Sequence, residues 1–282
     1  YDIEKNAYLT DLWVCGIADR RVYRLTTGGR EGGGFWLDEN RVLFPGARGG
    51  EVPGEETILY CIDVRGGEAS EYMRVPVAFA QCSPLPDGRF MVRAETDANA
   101  PGEGEQADWM YFDEYPFMDN GAGYVNRKRR SLFVYDPADG ALERLTPPLM
   151  QTYQPYFSDD IALTNDGFCF VGWEFDRYAG GRVAIYKHVW ATGENIMLCS
   201  DSCYVYSMFE HEGRLWYAAW AIEPGPYLAE TRLKSVSFDG GDLRVEAEPE
   251  FETGTVRRVG AETLFIRADG ARMKLGRFTT GA

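Results

Sequence analysis

Between Glu95 and Asn120 the chain carries eight carboxylates and neither Lys nor Arg: Glu95, Asp97, Glu103, Glu105, Asp108, Asp113, Glu114 and Asp119. Such a segment can stay a solvated loop. With Tyr111, Tyr115 and Phe117 among the acids, it can also attract the amino terminus of a ligand and offer it apolar contact. A basic run follows at Arg127, Lys128, Arg129 and Arg130. Arg presents a planar fork of donors suited to a carboxylate, so the run could hold a ligand's carboxylate. The nearer acids of the preceding segment are the expected partners, and such pairing would dock that segment. Asp38, Asp159 and Asp160 have the side-chain type that a glycosidase needs for its acid and its base or nucleophile.

Other chemistry lacks its parts. No serine stands in Gly-x-Ser-x-Gly, the strained turn that exposes a hydrolase nucleophile. A serine nucleophile also needs a histidine within hydrogen-bond reach. The chain has only His188, in a strand-like run, and His211, in a turn. Both are expected to have packing or surface roles, and no catalytic residue is assigned. Cys15, Cys61, Cys82, Cys169, Cys199 and Cys203 are scattered through apolar runs without zinc-ligand spacing, and are expected to be buried reduced thiols. Asp136 to Gly140 and Asp239 to Asp242 lack the alternating oxygen ligands of a calcium loop. Neither a metal nor a cofactor is expected.

The 282 residues are 45% hydrophobic, 14% aromatic and 26% charged, which is ample material for a folded core. A formal net charge of −15 would repel a phosphate backbone or an anionic membrane, so neither nucleic acid nor a membrane is an expected partner. No apolar run approaches the ~20 residues that a spanning helix requires, and the N-terminal residues lack a secretory pattern. The expectation is a soluble, cytoplasmic protein; a homo-oligomer remains open.

A repeat must position these residues. Turn signals at Asp38-Glu39-Asn40, Pro86-Asp87-Gly88, Asn165-Asp166-Gly167, His211-Glu212-Gly213 and Gly260-Ala261-Glu262 each precede a short apolar run. A second set alternates strictly with the first: Ala18-Asp19-Arg20, Arg65-Gly66-Gly67, Ala138-Asp139-Gly140, Ala191-Thr192-Gly193 and Phe238-Asp239-Gly240. Successive members of the first set lie 46 to 49 residues apart, apart from one step of 79 that contains an insertion near residues 95–128. Four short strands per period of this length predict an all-β chain of four-stranded antiparallel blades, a β-propeller with five blades in these 282 residues. A lone four-stranded sheet buries too little apolar surface, so blades must stack face to face. Trp13, Trp36, Trp173 and Trp216 are expected in that packing. The strands at the two ends of the chain either combine into one blade or belong to a larger propeller of six or seven.

Two segments go further. Asp2 to Tyr8, with Asp11-Leu12-Trp13-Val14 and Leu25-Thr26, resembles the first-blade region of the prolyl oligopeptidase family, especially its acylaminoacyl-peptidase and dipeptidyl-aminopeptidase branch. The second segment is Glu114-Tyr115-Pro116-Phe117, Asn120-Gly121, Gly123-Tyr124, Arg129-Arg130 and Leu132 to Asp136, with Leu145-Thr146 closing the blade, and it is similar to a blade of that branch. The resemblance implies a noncatalytic propeller over residues 1–282 that gates a C-terminal α/β-hydrolase serine peptidase domain and helps to position oligopeptides for it. Glu114, Tyr115, Phe117, Asn120, Arg129 and Arg130 would then be its substrate-binding residues, with Glu114 facing the peptide's amino terminus. The alternatives are a stand-alone protein-binding propeller and a five-bladed glycosidase.

Overall fold

The computed structural model describes residues 3–4, 6, 8–16, 19–46, 56–78, 80–97, 112–120, 123–152, 161–174, 183–200, 203–221, 231–247, 253–259, 262–269 and 272–278. Every regular element among them is a strand, and every pairing between strands is antiparallel where its register is defined. The chain divides into two compact units, residues 1–96 with 131–145 and residues 97–130 with 146–282.

In the first unit, β1 (Trp13–Cys15) and β2 (Val22–Arg24) form a two-stranded sheet. Strands β3 (Phe35–Trp36), β4 (Arg41–Pro45), β5 (Thr57–Asp63) and β6 (Ser70–Val75) follow one another across a four-stranded sheet. The next sheet contains β7 (Gln81–Pro84) and β8 (Phe90–Asp97). In chain order a short ribbon of β9 (Met118–Asp119) and β10 (Gly123–Tyr124), which belongs to the second unit, intervenes before β11 (Lys128–Asp136) and β12 (Ala141–Arg144) complete that sheet in the order β7-β8-β11-β12. The insertion therefore sits between the second and third strands of one sheet. Alternation along β4 and β5 sends Leu43 and Leu59 into a cluster with Val75, Phe90, Val92 and Phe133. Phe44, Ile58, Tyr60 and Ile62 go to the opposite face, against Leu12 and Leu25.

In the second unit, β13 (Met150–Gln151) and β14 (Ile161–Thr164) pair with successive stretches of β15 (Gly167–Glu174), which continues to β16 (Ala184–Val189) and β17 (Asn195–Ser200). Strands β18 (Cys203–His211), β19 (Arg214–Ala221), β20 (Thr231–Ser237) and β21 (Arg244–Ala247) make the next sheet. A final sheet has three strands, β22 (Thr253–Val259), β23 (Glu262–Asp269) and β24 (Arg272–Phe278). The leading strands β14, β18 and β22 are neighbours, although each belongs to a different sheet. Val171, Ile185, Val205, Leu215, Tyr217 and Val236 fill the space between two of these sheets.

Eight of the ten turn signals lie wholly within the described residues, and each joins adjacent antiparallel strands: four from the first set join first to second strands, and four from the second set join third to fourth. Gly66, Gly88, Gly140, Gly193, Gly213 and Gly240 take positive φ there, where a side chain would be strained. Burial follows the rank of each strand. Second and third strands such as β8, β11, β15 and β16 are enclosed on both faces, whereas the fourth strands β6, β12, β17 and β21 are mostly exposed.

Two of the tryptophans depart from the expectation of packing. Trp216 is buried, but Trp13 is 62% and Trp36 54% exposed. Phe35 takes the core side of β3, so alternation turns Trp36 the other way. Trp13 lies on a sheet of only two strands. The thiols divide similarly. Cys82 and Cys169 are buried and pushed up to about 12 by burial, which keeps them protonated and inert, while Cys15 is exposed rather than buried. The Cys203 side chain, Tyr111, Glu103, Glu105, Asp108, Asp159 and Asp160 lie outside the described residues.

Candidate functional site

The insertion ends in an ion-paired base that carries an exposed aromatic ribbon, all within the second unit. The base begins near the start of β11 at Arg129, the largest fully buried side chain among the described residues, at 1% exposure. Its Nε donates to the Leu149 carbonyl (2.9 Å), one Nη to the Lys128 carbonyl (2.9 Å) and the other to Glu114 Oε1. Glu114 is only 9% exposed, and its second oxygen accepts the Arg127 backbone N–H (2.7 Å). An enclosed guanidinium requires this degree of satisfaction, because an unpaired buried charge is costly.

A second pair lies beside the first. Arg127 donates through Nε and Nη to Asp113, and its guanidinium holds the Asp113 carboxyl below the usual range. Arg127 has φ of 53°, a left-handed conformation disfavoured for a residue with a Cβ, and its N–H contact with Glu114 helps to hold it there. Buried Asn126 ties the strands together by accepting the N–H groups of Asp113 (3.2 Å) and Glu114 (3.0 Å). Arg130 contributes through its backbone: its N–H donates to Gln151 Oε1 (2.7 Å) and its carbonyl accepts the Thr152 N–H (2.9 Å).

From this base the ribbon presents its rings to solvent. Phe112 lies 5.0 Å from Phe117 and 5.2 Å from Tyr124, centroid to centroid. Tyr115 is 64% exposed, and Phe117, Met118 and Tyr124 are also exposed. Val125 N–H donates to the Phe117 carbonyl (2.9 Å), which extends the β9–β10 pairing. Asn120 is at the exposed tip, its N–H donating to Asp119 Oδ1 (2.8 Å).

Thus Glu114 and Arg129, expected to contact a ligand, meet each other, as the pairing of the basic run with the insertion's acids anticipated. Glu114 does not face outward to an amino terminus: both of its oxygens are engaged within the protein. Tyr115, Phe117 and Asn120 are outward, as a contact role requires. Sequence reasoning missed Asn126, which no local pattern marks, and the ring contacts of Phe112 and Tyr124. Asp38 caps a turn, its carboxylate accepting from the Asn40 and Arg41 backbones and pairing with the Arg41 guanidinium. Of the two histidines, His188 is buried, with Nδ1 2.9 Å from Asn195 Oδ1, and His211 lies 5.4 Å from the Trp216 ring.

The Asp113 pair makes the anchor sensitive to acid. A carboxyl depressed in the folded state contributes stability in full above its unfolded value of about 3.9 and loses it as pH falls through the lower folded value. Arg127→Gln is expected to cost roughly 0.2–1 kcal/mol at neutral pH, the range of a solvent-screened pair. The difference in melting temperature between Arg127→Gln and the unaltered chain should stay constant from pH 8 to 5 and close below about pH 4. A difference that persists at pH 2 contradicts the pairing.

No family model matches the sequence, and no curated protein matches it. Solved structures do. The β-propeller domain of the trilobed protease from Pyrococcus furiosus matches with a TM-score of 0.55 and 14% identity, over 97% of this chain and 72% of that one. Putative TolB from Agrobacterium tumefaciens matches with 0.53 and 12% identity, over 93% and 81%. The acylaminoacyl peptidase of Pyrococcus horikoshii matches with 0.55 and 12% identity; 98% of this chain aligns, spanning 48% of the peptidase. The fold is therefore that of a β-propeller, with five sheets of three or more strands as its blades.

Proposed function

We propose that this chain is the noncatalytic propeller domain of a serine peptidase, limiting access to a C-terminal α/β-hydrolase domain and helping to position oligopeptides for it. The observation that carries the reading is the exposed aromatic ribbon on its buried ion-paired base. Burying a guanidinium–carboxylate pair beneath surface rings fixes those rings at little entropic cost to a ligand, which is how a contact surface gains affinity. Tyr115, Phe117 and Asn120 supply contact, while Glu114 and Arg129 hold the ribbon in place. The peptidases among the similar structures support the reading through their shared fold.

The test is peptide hydrolysis by the polypeptide encoded by the whole gene. The reading expects a Gly-x-Ser-x-Gly hydrolase sequence beyond Ala282, peptidase activity in the gene product and none in the 282-residue chain. Joint replacement Tyr115→Ala/Phe117→Ala should raise KM for oligopeptides about 5- to 30-fold, equivalent to roughly 1–2 kcal/mol of aromatic contact. The absence of a hydrolase sequence would transfer support to a stand-alone binding propeller.

A further inference from the structure

The ribbon and its base carry three acids, Asp113, Glu114 and Asp119, and two of them are engaged inside the protein. Asp113 pairs with Arg127, and Glu114 pairs with Arg129. Asp119 differs. It is exposed, its Oδ1 accepts the N–H of neighbouring Asn120 (2.8 Å), and it meets no cation among the described residues.

Its surroundings suit a cation. Register sets Tyr124 opposite Met118 and Gly123 opposite Asp119, and the Val125 N–H bond to the Phe117 carbonyl carries the pairing one residue further. Alternation therefore puts Phe117 and Asp119 on one face of the ribbon, about 7 Å apart along the strand. Opposite Asp119 that face bears no side chain, because Gly123 stands there. The space over its α-carbon is open, with no atom within 4 Å of where a Cβ would lie. The exposed Phe117 ring is steadied from one side by Phe112, at 5.0 Å between centroids. An ammonium or guanidinium in this notch would meet a carboxylate through charge-assisted hydrogen bonds and a ring face within about 6 Å of its centroid. An apolar side chain would use the ring alone, and an anion would be repelled. The formal net charge of −15 steers cations toward the same surface.

We propose that Asp119 and Phe117 form a subsite for a basic side chain of an oligopeptide, a lysine or an arginine, so that the ribbon selects cationic peptides among those it contacts. This rests on the reading of the ribbon as a peptide-contact surface and does not require the hydrolase. The acidic contact expected of Glu114, whose two oxygens are engaged within the protein, falls instead to Asp119.

Equilibrium binding tests it, measured by fluorescence anisotropy with the natural gene product, any hydrolase serine being blocked beforehand by a fluorophosphonate. The probes are N-acetylated oligopeptides, labelled at the C-terminus, that differ at one position: lysine, norleucine or glutamate. At about 0.15 M salt the lysine peptide should bind about 3- to 10-fold more tightly than the norleucine peptide, and the glutamate peptide more weakly than either. Asp119→Asn should abolish the lysine advantage and leave the Kd of the norleucine peptide unchanged. Glu68→Gln, which removes the same charge from an exposed position in the first unit, should preserve the advantage. Equal binding of the lysine and norleucine peptides overturns the proposal, as does a lysine advantage that survives Asp119→Asn. An equal loss with Glu68→Gln also overturns it, by making net charge the cause. So does a norleucine peptide with a free amino terminus that matches the acetylated lysine peptide and depends equally on Asp119, because the terminus would then be the ligand. The peptide-contact reading fails separately. Tyr115→Ala/Phe117→Ala should weaken all three peptides, and no change in any of them removes that reading and this subsite together.

Discussion

Arg129→Leu is expected to lower the stability of the second unit by about 3–5 kcal/mol, the cost of leaving one member of a buried pair without its partner. The size follows from what the guanidinium satisfies. Its removal strands the Glu114 carboxylate, 9% exposed, and deprives the carbonyls of Leu149 and Lys128 of donors. Glu114→Gln retains hydrogen-bonding capacity but leaves the Arg129 charge uncompensated. The double variant should therefore cost less than the two singles combined, with a coupling of about 2–3 kcal/mol in guanidinium unfolding. Coupling near zero would show that Arg129 and Glu114 do not depend on one another and would remove the anchor from the account. Exchange of the amides in residues 112–120 should rise with Arg129→Leu before that of β15 does, because the ribbon is held mainly through this base.

Phe168→Ala should have a comparable effect, about 3–5 kcal/mol, through a different mechanism. The Phe168 ring is fully buried on β15, with centroids 5.6 Å from Phe170, 5.0 Å from His188 and 5.1 Å from Trp190. Truncation leaves a cavity among rigid rings that cannot readily collapse, and it removes aromatic pairings worth more than their area alone. Phe168→Leu retains most of the volume and should cost markedly less. Tyr115→Ala, at an exposed position, should change stability by no more than about 0.5 kcal/mol. If Phe168→Ala were no more costly than Tyr115→Ala in denaturant unfolding, the stacking of β15 against its neighbours would be wrong.

These effects differ in how far the sequence reveals them. The turn signals were legible because Asp-Gly and related pairs impose positive φ or an Asx-type contact on the few residues between strands, which is a local constraint. Pairing across each turn follows once the turn is placed, as for Trp36 with Val42 and Cys61 with Ser70; Leu43 opposite Cys61 joins a second to a third strand with no turn signal between them, so its register was not legible. The insertion was visible as an interruption of the period, and the opposite charges on either side of Val125 pointed to pairing. Which acid meets which base is a tertiary matter. Glu114 and Arg129 are fifteen residues apart, and their meeting depends on buried Asn126, which holds the Asp113 and Glu114 backbone N–H groups. The exposure of Trp13 and Trp36 was not legible for the same reason: an aromatic residue in a strand reads the same whether or not another sheet covers its face.

The proposed role has the aromatic ribbon, on its ion-paired base, positioning oligopeptides for a hydrolase partner. Its most direct measurement is steady-state hydrolysis of one oligopeptide and one single-residue ester by the gene product, with and without Tyr115→Ala/Phe117→Ala. A KM raised about 5- to 30-fold for the oligopeptide and unchanged kinetics for the ester are expected. Unchanged KM for the oligopeptide, or an equal loss with both substrates, contradicts it.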